Sequence, residues 1–112
     1  MRLESEIWAK AFLRRCAAEG AAAVVVRRGD PDAGTIYIKV NRLDGMAALF
    51  GPAPAGLAES YHERRWASCF ASDWAPEMQA DAYLRREINF DPDVWILEVE
   101  DRRGRHFLDD WL

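Results

Sequence analysis

The chain has 112 residues, half of them hydrophobic and 30% charged, with a formal net charge of −4. That length suits a single domain spanning 1–112 whose core needs no metal or disulfide staple. An acidic chain is a poor non-specific nucleic-acid binder, because phosphate contacts supply most of that affinity. Thirteen arginines stand against two lysines, beside eighteen alanines, a bias that reads first as a GC-rich genome. Arg2, Glu4, Glu6 and Lys10 leave no apolar signal core, and the longest clean apolar run, residues 21–26, is far too short to cross a bilayer. Neither Cys16 nor Cys69 has a metal-ligand spacing around it. A cytoplasmic location with reduced, buried thiols is therefore expected, with no membrane partner.

Residues 4–19 read as an amphipathic helix. Ser5 is placed to cap it, and Trp8, Ala9, Phe12, Leu13, Cys16 and Ala17 form the apolar stripe. Gly20 is a natural stop. A first strand follows over 22–28, then the loop Gly29-Asp30-Pro31-Asp32-Ala33-Gly34. A second strand over 35–43 sets Ile36, Ile38 and Val40 on one side and Tyr37, Lys39 and Asn41 on the other. Asp44-Gly45 marks a hairpin into a third strand over 46–50. These three strands are expected to form an antiparallel meander. Residues 57–63 suit a short helix, and 64–71 fit a strand or a helix almost equally, the strand setting Trp66, Ser68 and Phe70 on one face. Pro76 and Glu77 open a second helix over 76–89, with Ala80, Tyr83, Leu84 and Ile88 inward.

The stretch 90–100 organises the rest. After the turn Asp91-Pro92-Asp93, Val94, Trp95, Ile96 and Leu97 run without a polar break, then Glu98 and Glu100 alternate with Val99. A continuous apolar run predicts a strand buried on both faces. It should enter the middle of the sheet, with Trp95, Leu97 and Val99 on one face. Residues 105–108 are expected to return as a short strand. Trp8, Trp66 and Trp95 read as core, and Trp74 and Trp111, beside aspartates, as partly exposed.

No Gly-rich phosphate loop, Gly-x-Ser-x-Gly elbow or His-Glu-x-x-His occurs, so no cofactor and no catalytic residue is assigned. His62 and His106 read as surface residues, and Ser60 with His62 makes no triad. Two Asp-Pro-Asp turns, at 30–32 and 91–93, offer four carboxylates that could hold a hard cation if they met. Asp and Pro are also ordinary turn residues. Arg28-Gly29-Asp30 spells an adhesion tripeptide, in a cytoplasmic loop a coincidence. Five Arg-Arg pairs, at 14–15, 27–28, 64–65, 85–86 and 102–103, would make an anionic-ligand patch if they shared a face; singly they are solvated surface.

Trp8 with Arg14-Arg15, Arg28-Gly29-Asp30, Ala33-Gly34-Thr35-Ile36, Tyr83-Leu84, Arg85-Arg86 and Phe90-Asp91-Pro92-Asp93 with Trp95 and Glu98 together carry a resemblance. The chain resembles domain-of-unknown-function family 1491, short proteins known mainly from alphaproteobacteria. The resemblance covers nearly the whole chain and is loosest over 43–75. It implies a compact stand-alone bacterial domain and carries over no activity, cofactor or site.

The expected fold is α+β in two layers: an antiparallel sheet of about five strands with two helices packed on it, in the order α-β-β-β-(β)-α-β-(β). The expected function is a non-enzymatic binding or protein-interaction module with an unidentified protein partner. The alternatives are an acid–base or metal-dependent enzyme using the loop aspartates, and a nucleic-acid-associated protein using the paired arginines. If the first strand and the 94–100 strand are antiparallel neighbours, Arg27, Arg28, Asp30 and Asp32 share a rim with Asp91 and Asp93. That rim is the candidate binding site.

Overall fold

The computed structural model describes residues 3–54 and 64–109. Eight elements follow in chain order: α1 (Ser5–Ala18), β1 (Ala22–Arg27), β2 (Ile36–Asn41), β3 (Met46–Pro52), β4 (Trp66–Ser68), β5 (Ala75–Pro76), α2 (Glu77–Phe90) and β6 (Trp95–Glu100). The fold is α+β, two helices packed on a mixed six-stranded sheet. Its order is β1-β6-β2-β3-β4, with β5 paired to β3.

The meander expected for the first three strands does not form. Only β2 and β3 pair as a hairpin; β6 inserts between β1 and β2, antiparallel to the first and parallel to the second. The cause lies in two segments. The Val94–Leu97 run has no polar face, which suits a strand in the interior of a sheet covered on both faces rather than one at its edge. The loop after β1 carries no two-residue hairpin signal and is long enough to step over one intervening strand, roughly 10 Å at two strand spacings.

The helices lie on opposite faces, so the domain has three layers where two were expected. Trp8, Phe12 and Cys16 of α1 pack on Ile36, Ile38, Val40, Trp95, Leu97 and Val99. Leu84 of α2, with Tyr83 and Ile88 beside it, packs on Tyr37, Leu49, Val94 and Ile96. The reason is in β2, buried without interruption from Ile36 to Val40. A strand buried on both faces requires cover on both. Trp8 stacks on Phe12 at 5.2 Å between centroids and meets Trp66 at 4.9 Å, closing the α1 side.

Three local expectations change. Glu4, not Ser5, sits at the cap of α1 and makes no side-chain cap. Backbone does that work instead: the Ser5 and Glu6 amides donate to the Asp32 and Pro31 carbonyls at 3.1 and 2.9 Å. The predicted strand over 64–71 shrinks to β4; Trp66 joins the α1 core while Phe70 packs on the α2 side. Residues 105–108 form no strand. The Asp101 carboxylate accepts the Arg105 amide at 2.8 Å and fixes a turn there, and Phe107 has φ of 59°, which no strand tolerates. Ser60, His62, the helix over 57–63 and Trp111 lie outside the described residues.

Candidate functional site

The expected rim exists as geometry. β1 ends where β6 begins, and the two Asp-Pro-Asp turns meet: the Asp30 amide donates to the Asp93 carbonyl at 3.0 Å, and Arg27 Nη2 donates to the Pro92 carbonyl at 2.9 Å. Four of the six side chains, however, are engaged within the junction, while Asp32 and Asp93 are exposed. Asp30 accepts the amides of Asp32 and Ala33, and Asp91 accepts that of Asp93. Arg28 pairs with Glu6 and lies 5.4 Å over the Trp95 ring. Asp32 contributes its carbonyl to α1. Among the described residues no group of three ligating side chains gathers. The candidate rim is thus a knot that joins α1, β1 and β6.

Gly29 and Gly34 make that knot possible. A Cβ on Gly29 would run into the Asp93 carbonyl oxygen and lie 2.6 Å from the Val94 carbonyl carbon and 2.7 Å from Trp95 Cδ1; one on Gly34 would meet the same oxygen. Backbone cannot yield as a flexible side chain can. Gly29→Ala is therefore expected to cost about 1–3 kcal/mol, read in a urea titration; a midpoint equal to wild type would show that the turns are not in contact.

A second polar cluster escaped the sequence. Lys39 lies in the middle of β2 with its side chain 5% exposed, and its Nζ is 2.6 Å from Glu77, 2.8 Å from Asp81 and 3.4 Å from Glu98. Asn41 Nδ2 also donates to Glu77 at 3.0 Å. Burial alone would lower the ammonium's pKa, but hydrogen bonds to Asp81 and Glu77 and the charge of Glu98 outweigh it and raise it. A lysine nucleophile needs the free amine; this one is locked as the cation. The available signal was a lysine inside an apolar strand, matched by Glu77 and Asp81 one turn apart on α2.

The cysteines lie on opposite faces of the sheet and both are free. Burial raises the Cys16 thiol to about 11, and burial raises Cys69 against a hydrogen bond from Tyr83. Little thiolate exists near neutrality, so neither is a nucleophile. At pH 8, Cys16 should label only on unfolding and Cys69 slowly. A denatured count of two thiols should hold with and without reductant; two missing thiols would mean a disulfide.

An open cleft of about 480 Å³ lies between α1 and the segment after β6, lined by Arg15, Glu19, Arg105, His106, Phe107 and Asp109 among others. Its charges are mixed. Arg105 is held by Asp101 at 2.9 and 3.0 Å, and Arg15 donates to the Phe107 carbonyl at 3.3 Å. The cleft selects no single ligand class. The five arginine pairs do not all share one face: Arg14-Arg15 lie on α1, with Arg28 and Arg64 reaching Glu6 and Ser5 of that helix, and Arg85-Arg86 lie on α2, across the sheet.

The feature without an internal use is β1. It stands at the end of the sheet, bonded to β6 on one side and to no other strand among the described residues. Val24, Val25 and Val26 are 54%, 40% and 56% exposed. Ala23 packs toward the α1 core, while Val24 lies beside Glu98 on the α2 side, beyond the cover of the helix. A one-residue bulge falls between Val25 and Arg27.

These features define a small α+β domain with a helix on each face of a mixed sheet and one bare apolar edge. The chain belongs to the DUF1491 family of proteins of unknown function, whose model matches residues 3–109. It is similar to a DUF1491 protein of Caulobacter crescentus CB15 solved by crystallography, at 41% identity over 96% of this chain and 94% of that one, with a TM-score of 0.79. An NMR structure of a Caulobacter DUF1491 protein matches at 42% identity and a TM-score of 0.75, over 96% and 93% of the two chains. A protein of A. tumefaciens solved in solution matches at 36% identity and 0.76, over 89% and 86%. No curated protein matches the chain. Among the described residues no helix is long and apolar enough to cross a membrane.

Proposed function

We propose that the chain is a small, non-enzymatic protein-interaction module of the cytoplasm that takes an extended strand along β1. One observation carries this reading: an edge strand with three consecutive exposed valines and no Lys or Pro along it. Edge strands template pairing with another chain, and soluble proteins usually blunt them with charge, proline or a covering element. Here the devices within β1 are confined to its end, the bulge at Val26 and the charge of Arg27, and Ala22 to Val25 carry neither charge nor proline. Added strands gain affinity from main-chain hydrogen bonds and specificity from alternate side chains.

The competing readings lose their support in the same geometry. Asp30 and Asp91 cap their own turns, and Arg14-Arg15 and Arg85-Arg86 lie on opposite faces of the sheet. Capture from the lysate of the native host tests the proposal, comparing wild type with a Val24→Lys, Val26→Lys variant. A partner held by wild type and lost by the variant is expected. A partner held equally by both would move the interaction away from β1 and overturn the reading.

A further inference from the structure

We propose that the occupant of β1 is β1 of a second copy, paired antiparallel about a two-fold axis at Val24, an inference that rests on the strand-addition reading above. The argument is one of complementarity. β1 is uncharged from Ala22 to Val26; beyond one end stands Glu19, with Glu100 across the strand from Ala22, and at the other stand Arg27, which donates to the Pro92 carbonyl, and Arg28, which stays 63% exposed beside its partner Glu6. An antiparallel self-pair sets the basic end of each copy against the acidic end of the other, twice. A parallel pair would set like charge on like, which disfavours it.

The side chains fit the same arrangement. In an antiparallel pair, directly opposite residues point to one face, and a two-fold perpendicular to the sheet keeps each face on its own side. Val24 then meets Val24 of the copy, and Ala23 meets Val25. Small and β-branched residues suit that close approach. Val24 would be covered on the α2 side, where the helix leaves it bare, and the sheet would run on across both copies. A strand pair alone buries less than a standard interface, so the dimer is a weak, concentration-dependent one.

Sedimentation velocity from low micromolar to millimolar concentration tests the inference. Wild type should pass from monomer to dimer mass, and Val24→Lys should stay monomeric while keeping the wild-type circular dichroism. In a Cys69→Ser background, Val24→Cys should form a disulfide-linked dimer under mild oxidation, because opposed strand residues lie within disulfide reach. Met78→Cys, exposed on α2, should not. If Val24→Lys fails to fold, amide exchange on wild type decides: β1 amides that face away from β6 should gain protection as concentration rises. A wild-type monomer at millimolar concentration, a dimer indifferent to Val24→Lys, equal cross-linking through Met78→Cys, or concentration-independent exchange would each overturn the second copy. A monomer that still captures another chain through β1 would overturn the self-pairing alone. A monomer that captures nothing through β1 would overturn the strand-addition reading with it.

Discussion

Trp95→Ala is expected to destabilise the domain by about 3–5 kcal/mol, the range for truncating a buried tryptophan. The indole is 2% exposed and occupies the α1 face of β6, where Ile36 and Leu97 also pack. Its Nε1 donates to the Asp30 carbonyl at 2.7 Å, and Gly29 and Gly34 close on its Cδ1. Alanine would open a cavity and remove the shorter of that carbonyl's two hydrogen bonds, leaving the Gly34 amide at 3.2 Å. Trp95→Phe separates the two losses: it keeps most of the apolar volume and should cost about 1–2 kcal/mol for the hydrogen bond. A denaturant titration reads both. A loss under roughly 1 kcal/mol for the alanine variant would show a surface indole rather than a core one.

Lys39→Met should be the next most damaging change, at about 2–4 kcal/mol. Removing one partner of a buried ion pair costs roughly 3–5 kcal/mol, and here Glu77 and Asp81 reach solvent with 37% and 43% of their side chains exposed, which softens the loss. The methionine keeps the stem volume, so what is measured is charge. The sign with pH follows from the raised ammonium pKa. Lys39 gives its full stabilisation below the unfolded value of about 10.4 and loses it only as pH climbs through the higher folded value. The gap between variant and wild type should therefore hold from neutral pH to about 10. A gap that vanished by pH 8 would mean an ammonium lowered by burial rather than raised by its carboxylate partners.

Much of this was legible in the residues. The periodicity of α1 and α2, the Asp44-Gly45 hairpin and the two-faced burial of β6 follow from local pattern, which is short-range physics. The meeting of the two Asp-Pro-Asp turns was legible only as a condition, that the first strand and the 94–100 strand be antiparallel neighbours, and the pairing of β1 with β6 meets it. Strand order did not, since nothing local says that β6 inserts between β1 and β2. The fate of the loop side chains was equally hidden. Asp30 and Asp91 could have faced outward or capped their own turns, and only the turn geometry decides. Lys39 was assigned to the correct side of β2, but its partners lie 38, 42 and 59 positions away in sequence, beyond any pattern on one element.

The place of β6 has a consequence for how the chain is made. β1 leaves a ribosome well before β6, its one sheet neighbour among the described residues. Folding dominated by such distant pairings is slow, because loop-closure entropy must be overcome before the contacts form. Until Trp95 and the residues after it emerge, three valines wait with both strand edges open, a state prone to off-pathway association. The β2–β3 hairpin can close early, but β1 cannot. A nascent chain stalled before residue 95 should be captured by chaperones that bind exposed apolar strands, and release of β6 should end that capture within one folding time.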